Sequence, residues 1–299
     1  MLSPSVARPT RARASWRKRR AGRSTDDGAT PSTSTEVFPW DIDALLRRCA
    51  EPPQRLPMGA VLLRGLLTES EQEWLYRAVC FLADPQSGEL ASLRATSSAD
   101  AHRKLNPDNR PQPFCTWIHP YTRQSNARSK PTKLLKWAES LMHALVPESR
   151  SHCVDSMLAQ LYAPGGSLLK HRDEDLSWGI GVSLGSAASF DCLPADGGAE
   201  TVLIRSGDIL VGEFGKMPHA VKVPAEIKPL PTWWSCVDHF GVQARCNILF
   251  REALSDAQLR ALAEERSLKV YGVPLEDLKR RTGKDDAFLA VHLRHAALE

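Results

Sequence analysis

The stretch KHRDED, at positions 170–175, contains the pattern on which the predicted fold and chemistry depend. His171 and Asp173 are two residues apart, so on an extended segment both side chains leave the same face. Two imidazoles and one carboxylate on one side of a metal form the ligand set of non-haem Fe(II) centres. A lone His-x-Asp pair is common on protein surfaces, so the surrounding sequence decides how much weight this pair has.

Short strands are predicted on both sides of this stretch. A Pro-Gly turn at 164–165 separates the strand before it from the strand that delivers His171. The last run, 245–251, alternates cleanly and places one set of residues on a single face: Arg245, Asn247, Leu249 and Arg251. About eight strands between positions 154 and 251, without a helix-length pattern among them, predict a double-sheet jelly roll or cupin-like barrel. The ligand site would lie at its mouth.

Several motifs occur in a recognisable order along residues 154–251. They are Tyr-x-Pro-Gly, His-x-Asp, Ser-Leu-Gly, Ser-Gly-Asp, His-Ala-Val and Arg-x-Asn-x-x-x-Arg. In this order they resemble the AlkB family of Fe(II)- and 2-oxoglutarate-dependent dioxygenases, over about a third of the chain. The resemblance implies an α+β fold with a double-stranded β-helix (jelly-roll, cupin-like) core and flanking helices.

The same resemblance implies roles for individual residues. His171, Asp173 and His219 would bind Fe(II) and form the catalytic centre, with O₂ as the second co-substrate. Arg245 would bind the distal carboxylate of 2-oxoglutarate, a pairing that the arginine fork suits. The remaining matched positions are Arg251, Asn247 and Tyr162 near the co-substrate, Gln160 where the family often has Asn, and Asp175 where some members have an acid facing the target base.

The other histidines are weaker candidates for the iron site. His239, beside Asp238, competes with His219 but lies in a Pro-rich insertion, 224–244, that is predicted to be a loop. His219 follows a Ser-Gly-Asp motif and a strand, so we expect it to be the ligand. Three further histidines are expected to be structural or exposed: His119, His143 and His152.

Composition describes a globular protein. Of 299 residues, 42% are hydrophobic and 25% charged. No apolar run approaches the roughly 18 residues of a membrane helix, and the N-terminus lacks the apolar core of a secretory signal. The seven cysteines occur singly, without a C-x-x-C pair, which argues for reduced thiols in an intracellular compartment.

Residues 1–35 are expected to form a disordered basic leader. Positions 8–23 hold eight basic residues and no acid. Removing those eight from 39 basic residues leaves 31 against 35 acids, so the positive balance of the chain lies in the leader. An organelle transit peptide, a nuclear signal or nucleic-acid arm, and a solvated leader without a specific role all remain open. The expected location is therefore the nucleus, the cytoplasm or an organelle.

Residues 36–150 are expected to form an α/β segment before the 151–252 core. Within it, positions 102–136 hold eight basic residues against one acid, with interleaved aromatics and, between positions 107 and 120, four prolines that keep much of the stretch irregular. Cations neutralise phosphates and aromatic faces stack on bases, and the resemblance places this stretch at the family's substrate lid. Trp117 and Tyr121 are the candidate stacking residues. The alternative is a solvated loop whose aromatics enter the core.

Residues 253–299 are expected to be a helical extension, either an interaction module or a stabilising one. Taken together, the resemblance implies a dioxygenase that oxidatively demethylates or hydroxylates modified nucleobases in single-stranded or base-flipped DNA or RNA. The alternatives are a protein or small-molecule hydroxylase on the same core, and a nucleic-acid-binding protein without turnover, which the intact ligand set disfavours. The base, the choice of DNA or RNA and the oligomeric state are left open.

Overall fold

The computed structural model describes residues 38–83, 106–120, 123–173, 178–194, 197–226, 230–236, 243–284 and 289. The chain divides into two units between Thr35 and Glu36, and all described residues belong to the second unit. The predicted leader therefore lies outside the described residues, and its properties stay predictions.

Two antiparallel sheets form the centre of this unit. The larger has the strand order β1-β2-β9-β6-β11-β4-β3, and the smaller has the order β5-β10-β7-β8. The strands are β1 Gln54–Arg55, β2 Val61–Leu63, β3 Gln112–Trp117, β4 Ser156–Tyr162, β5 Ser167–His171, β6 Trp178–Gly185, β7 Ala188–Cys192, β8 Glu200–Ile204, β9 Ile209–Glu213, β10 His219–Lys222 and β11 Arg245–Arg251. Two facing sheets joined in this order form a double-stranded β-helix, which confirms the predicted fold.

Strand β11 shows why the sequence folds in this way. It pairs with β4 on one side and β6 on the other, so its backbone is saturated within the larger sheet. Its apolar face, Cys246, Ile248 and Phe250, is fully buried in the main hydrophobic core. The period-2 alternation then turns the opposite face of β11 toward the space between the two sheets.

The first three helices pack on the apolar face of the larger sheet, and the two C-terminal helices form a separate small core. The described helices are α1 Ile42–Arg47, α2 Glu69–Leu82, α3 Thr132–Leu145, α4 Asp256–Tyr271 and α5 Leu275–Thr282, with short 3₁₀ turns at Pro57–Gly59, Pro147–Ser151 and Thr232–Cys236. Thr68 and Glu71 form a capping box that starts α2, as its sequence predicts. None of the helices in the described ranges has the length and apolar character needed to cross a membrane.

The basic stretch 102–136 contains a β-strand. Its residues 112–117 form β3, the edge strand of the larger sheet, which pairs with β4. A register shift between Pro113 and Cys115 accommodates the proline, whose missing N–H is tolerated at a sheet edge or bulge. The other described residues of the stretch before α3 lie outside the named helices and strands, as predicted for much of the stretch.

Candidate active site

Two of the predicted ligands, His171 and His219, lie directly opposite each other on neighbouring antiparallel strands. His171 ends β5, His219 begins β10, and their ring centroids are 4.2 Å apart. Asp173 follows β5, where its backbone N–H donates to the carbonyl of Phe214 at 3.0 Å. Asp173 Oδ1 is 3.8 Å from His171 Nε2. The three predicted iron ligands are therefore neighbours in space.

Main-chain carbonyls fix how the two imidazoles are presented. His171 Nδ1 donates to the carbonyl of Leu169 at 2.8 Å, and His219 Nδ1 donates to that of Met217 at 2.9 Å. Because a carbonyl only accepts, the hydrogen must be on Nδ1, which leaves Nε2 as the atom available to a metal. Such outer hydrogen bonds commonly orient metal-binding histidines.

Charge and burial also favour the ligand forms of two of these groups. Burial, followed by repulsion from His171, lowers the pKa of His219 to about 4, so the ring is neutral at neutral pH. Burial alone would raise the pKa of Asp173, but the charge of Arg251 and then those of the two histidines outweigh it, so the pKa falls below its ordinary value. Arg251 Nη1 also donates to Asp173 Oδ2 at 2.6 Å.

The donor chemistry fits Fe(II), which two imidazoles and one carboxylate bind with positions left open. In the part of the chain that the structure describes, no three His, Cys, Asp or Glu side chains stand in the close arrangement of a ready-made metal site. The assignment therefore depends on the adjacency of the three residues, on the tautomer that the carbonyls fix and on the ionised state of Asp173.

A cavity of about 140 Å³ lies between the sheets and includes this cluster. One wall comes from the inward faces of strands β4, β6 and β11, and the other comes from the smaller sheet. All predicted co-substrate residues line it: Gln160, Tyr162, Arg245, Asn247 and Arg251. The alternation of β4 and β11 brings these residues together.

Arg245 is the most unusual residue of the cavity, because it is only 2% exposed. Its Nη2 donates to Ser183 Oγ at 3.0 Å, and its guanidinium carbon is 5.7 Å from the centroid of the Tyr162 ring. Its Nε and Nη1 are buried without a hydrogen-bond partner. Burial lowers the pKa of Arg245, although an arginine stays protonated in proteins. A buried, incompletely paired cation is costly, so the site favours an anionic ligand.

Two cavity residues were not anticipated. Ser183 belongs to the Ser-Leu-Gly motif, so the sequence contained a signal for it. His119, expected to be structural or exposed, lines the cavity together with Pro120. Burial, followed by the charge of Arg251, lowers the pKa of His119 to about 4.

The predicted substrate residues have different outcomes. Asp175 and Tyr121 lie outside the described residues, as does His239. Trp117 packs, half-buried, against the main core and is not among the residues that line the cavity. The structure therefore does not bring Trp117 to the site, and its role in stacking stays a prediction.

Comparisons with known proteins give several similarities. No family model matches the chain. A probable lanosterol 14-alpha demethylase of Acanthamoeba polyphaga mimivirus is 30% identical over 121 residues, which span 36% of this chain and 16% of that protein. The chain thus covers about a sixth of this relative's length.

Solved structures are also similar. OsALKBH1 is 22% identical, with 67% of this chain and 100% of that chain covered and a TM-score of 0.47. A Pseudomonas putida prolyl-4-hydroxylase is 13% identical, with 71% and 98% covered and a TM-score of 0.38. An oxidoreductase of the 2OG-Fe(II) oxygenase family from Burkholderia pseudomallei is 12% identical, with 72% and 91% covered and a TM-score of 0.39.

The geometry itself supports a conclusion about the kind of protein. The predicted ligands adjoin at one end of a jelly roll, and a buried arginine with unpaired N–H groups lies in the same cavity. The ordered motifs of the sequence supply these residues. The chain is therefore a double-stranded β-helix protein whose cavity brings the three predicted ligands together with a buried arginine.

Proposed function

We propose that this chain is an Fe(II)- and 2-oxoglutarate-dependent dioxygenase that oxidatively demethylates or hydroxylates modified nucleobases in DNA or RNA. The observation that carries the proposal is the position of Arg245. It is a buried cation with two unpaired N–H groups, and it shares one cavity with His171, Asp173 and His219.

The two arginines of β11 differ in their partners within this cavity. They are six residues apart on one face of the strand, about 20 Å along its length. Arg251 is paired with Asp173, whereas no acidic group among the described residues forms an ion pair with Arg245. A carboxylate that enters the cavity would therefore find its two-pronged partner in Arg245.

Other residues of the chain would shape the reaction space. Bound Fe(II) and 2-oxoglutarate supply, with O₂, the chemistry that oxidises a C–H bond. Apolar side chains exclude water from that space, and they come from both sheets: Leu158, Leu168, Phe190, Leu210, Phe214, Val221 and Leu249. The carbonyls of Leu169 and Met217 hold the imidazoles in orientation. Asp173 remains ionised because Arg251 stabilises its charge.

The proposed reaction removes a methyl group as formaldehyde. An N-methyl group of the base gains a hydroxyl, after which its N–C bond breaks and formaldehyde leaves. One oxygen atom of O₂ goes to this carbon, and the other goes to the succinate that forms from 2-oxoglutarate with loss of CO₂. On bases whose hydroxylated carbon does not leave, the same step ends at hydroxylation.

A nucleic-acid substrate is supported by the cations that follow the cavity wall in sequence. Four basic residues between positions 128 and 136 are exposed: Arg128, Lys130, Lys133 and Lys136. Their number is notable because the chain beyond the leader has more acids than bases. Phosphate contact would explain their exposure. Asp175, Tyr121 and Trp117 remain the proposed base-contacting residues.

The test is a panel of methylated single-stranded DNA and RNA oligonucleotides with Fe(II), 2-oxoglutarate and O₂. We expect one or more of them to release formaldehyde in a 1:1 ratio to succinate, and Arg245→Gln to abolish both. Exposed Arg205, outside the cavity, gives the matched control Arg205→Gln, which should behave like wild type. Turnover of 2-oxoglutarate without any response to the panel would favour a protein or small-molecule substrate. Oligonucleotide binding without 2-oxoglutarate turnover would favour a binding protein.

A further inference from the structure

The cavity has one wall that belongs to neither sheet. His119 and Pro120, which follow β3, line it alongside the predicted iron and co-substrate residues. They are placed by the chain between β3 and α3, and so by a loop. Side chains on a loop are positioned only as well as the loop itself is held.

Two residues of this loop, one on each side of His119 and Pro120, have an unfavourable backbone conformation. Ile118 has a φ of 50° and Arg123 a φ of 60°. Left-handed φ values are uncommon for residues other than glycine, and a β-branched residue such as isoleucine is a true outlier there. Such conformations persist where surrounding contacts enforce them, and they cluster at functional sites.

Local hydrogen bonds supply part of this enforcement. The N–H of Ile118 donates to Ser125 Oγ at 2.7 Å. The N–H of His119 donates to the carbonyl of Gln124 at 2.8 Å, and the N–H of Arg123 donates back to the carbonyl of His119 at 2.9 Å. Both the N–H and the carbonyl of the His119 backbone therefore form hydrogen bonds within the loop.

The other hydrogen bonds that hold this loop come from a distant part of the chain. Arg123 Nη1 donates to the carbonyl of Leu254 at 2.7 Å, and the N–H of Leu254 donates to the carbonyl of Pro120 at 3.2 Å. Both polar groups of the Leu254 backbone are therefore used to hold the loop.

Leu254 is itself anchored by the C-terminal helices. It directly precedes Ser255, the N-cap of α4, and its buried side chain belongs to a small separate core with Leu259. This is the arrangement of a hydrophobic staple, which fixes the angle at which the chain enters a helix. The remaining buried members of that core come from α4, α5 and the residues after α5: Ala263, Leu275, Leu278 and Leu289.

We propose that the C-terminal helical segment positions the substrate, and that it does so through Arg123. In this view Arg123 is a positioning residue, which holds His119 and Pro120 at the cavity wall by way of Leu254. The inference rests on the proposed function, because it concerns the substrate of the same cavity. It also assigns a role to residues 253–284, for which the sequence alone offered only alternatives.

The test compares Arg123→Ala with Arg123→Lys, which keeps a donor for the Leu254 carbonyl. For an oligonucleotide that the wild type demethylates, we expect Arg123→Ala to raise KM about 3- to 10-fold, the effect of losing one hydrogen bond, with 2-oxoglutarate KM unchanged. Arg123→Lys should recover most of the loss. Leu275→Ala, which loosens the C-terminal core without touching the loop, should raise the same KM. Arg110→Ala is the matched control, because Arg110 is an exposed cation of the same stretch whose side chain pairs with Asp108.

A second readout does not depend on activity. Amide hydrogen exchange of the peptide spanning 116–127 should be faster in Arg123→Ala and in Leu275→Ala than in wild type. Equal exchange in all three proteins would overturn the inference. So would an equal KM change in Arg110→Ala, or a salt dependence of affinity that flattens in Arg123→Ala, since either would make Arg123 a phosphate contact. Failure of the wild type to turn over any oligonucleotide would count against the proposed function instead, and leave hydrogen exchange to decide this inference.

Discussion

Arg251 and Asp173 form a buried ion pair, with Nη1 donating to Oδ2 at 2.6 Å and side-chain exposures of 8% and 13%. The pair joins the end of the central strand β11 to the segment that carries the predicted iron-binding carboxylate. Asp173 therefore makes two contacts. Its Oδ2 accepts a hydrogen bond from the buried guanidinium of Arg251, and its Oδ1 lies beside His171.

Breaking the pair between Arg251 and Asp173 should lower both the stability of the protein and its affinity for Fe(II). We expect Arg251→Ala to lower the free energy of unfolding by about 3–5 kcal/mol, because it leaves a buried carboxylate without its partner. It should also raise the pKa of Asp173 and weaken Fe(II) binding. Chemical denaturation and metal titration measure the two effects. Arg251→Lys keeps the charge and should be milder in both, so equal losses in the two variants would contradict this account.

Replacing His171 and replacing Asp173 should have different effects on the stability of the protein. Both His171→Ala and Asp173→Ala should abolish Fe(II)-dependent 2-oxoglutarate turnover. The side chain of His171 is partly exposed, so His171→Ala should keep a near-normal Tm, whereas Asp173→Ala leaves the buried charge of Arg251 without its partner and should lower the Tm. Thermal unfolding of the iron-free proteins checks this, and retained turnover in either variant would refute the ligand assignment.

Arg245 should show a trade-off between stability and binding. Arg245→Met removes a buried cation with unpaired N–H groups, so the protein without co-substrate should become more stable by about 1–4 kcal/mol. It should lose 2-oxoglutarate binding, and with it the roughly 2.7 kcal/mol of stabilisation that a ligand gives at 100 times its Kd. Arg245→Lys should weaken 2-oxoglutarate more than Fe(II), since lysine lacks the two-pronged geometry. Unchanged 2-oxoglutarate affinity in both variants would place the anchor elsewhere, with Arg251 the next candidate.

Acid should destabilise the iron-free protein in a defined window. The pKa of His219 is lowered to about 4 in the folded state, against about 6.5 in an unfolded chain. The unfolded state therefore binds the proton first, so stability is complete above pH 6.5 and falls as the pH drops toward 4, by up to about 1.4 kcal/mol per pH unit. Denaturation of wild type and His219→Gln in chelator, from pH 8 to pH 4, measures this. Parallel curves for the two proteins would show that His219 is not responsible.

The salt dependence of oligonucleotide affinity should show whether the basic residues contact phosphates. If Lys130, Lys133 and Lys136 each contact a phosphate, replacing all three by Gln should flatten the log–log salt dependence of single-strand affinity by about two units. Arg128 is spared because its Nε donates to the carbonyl of Ala83 at 3.2 Å. The matched control replaces three exposed basic residues of the C-terminal segment: Lys269, Arg281 and Lys284. A triple variant with the wild-type slope would leave the basic stretch as a solvated surface.

Local pattern predicted most of the barrel and most of the site. The alternation of 245–251 determined which residues enter the cavity, and spacing alone put His171 and Asp173 together. His119 could not be found in this way. Its place depends on left-handed backbone at Ile118 and Arg123 and on hydrogen bonds to Leu254, more than 130 residues further along the chain. Long-range contacts of this kind leave no periodic signal in the sequence.

Trp117 shows why composition alone does not assign a role to a residue. Its aromatic character and basic neighbours suggested base stacking, but the residue lies at the end of an edge strand whose side chains pack on the main core. Composition describes what a segment contains, and only the pairing of β3 with β4 decides which side chains remain available.

Strand β5 is the edge of the smaller sheet and pairs with β10 alone, in a register that sets His171 against His219. A metal bound by both histidines would fasten this edge across the strand pair. Without iron, β5 would separate from β10 more readily. A frayed edge strand is where proteases cut and where sheets of separate molecules associate. Metal binding would then protect this edge from proteolysis and association in addition to its role in catalysis.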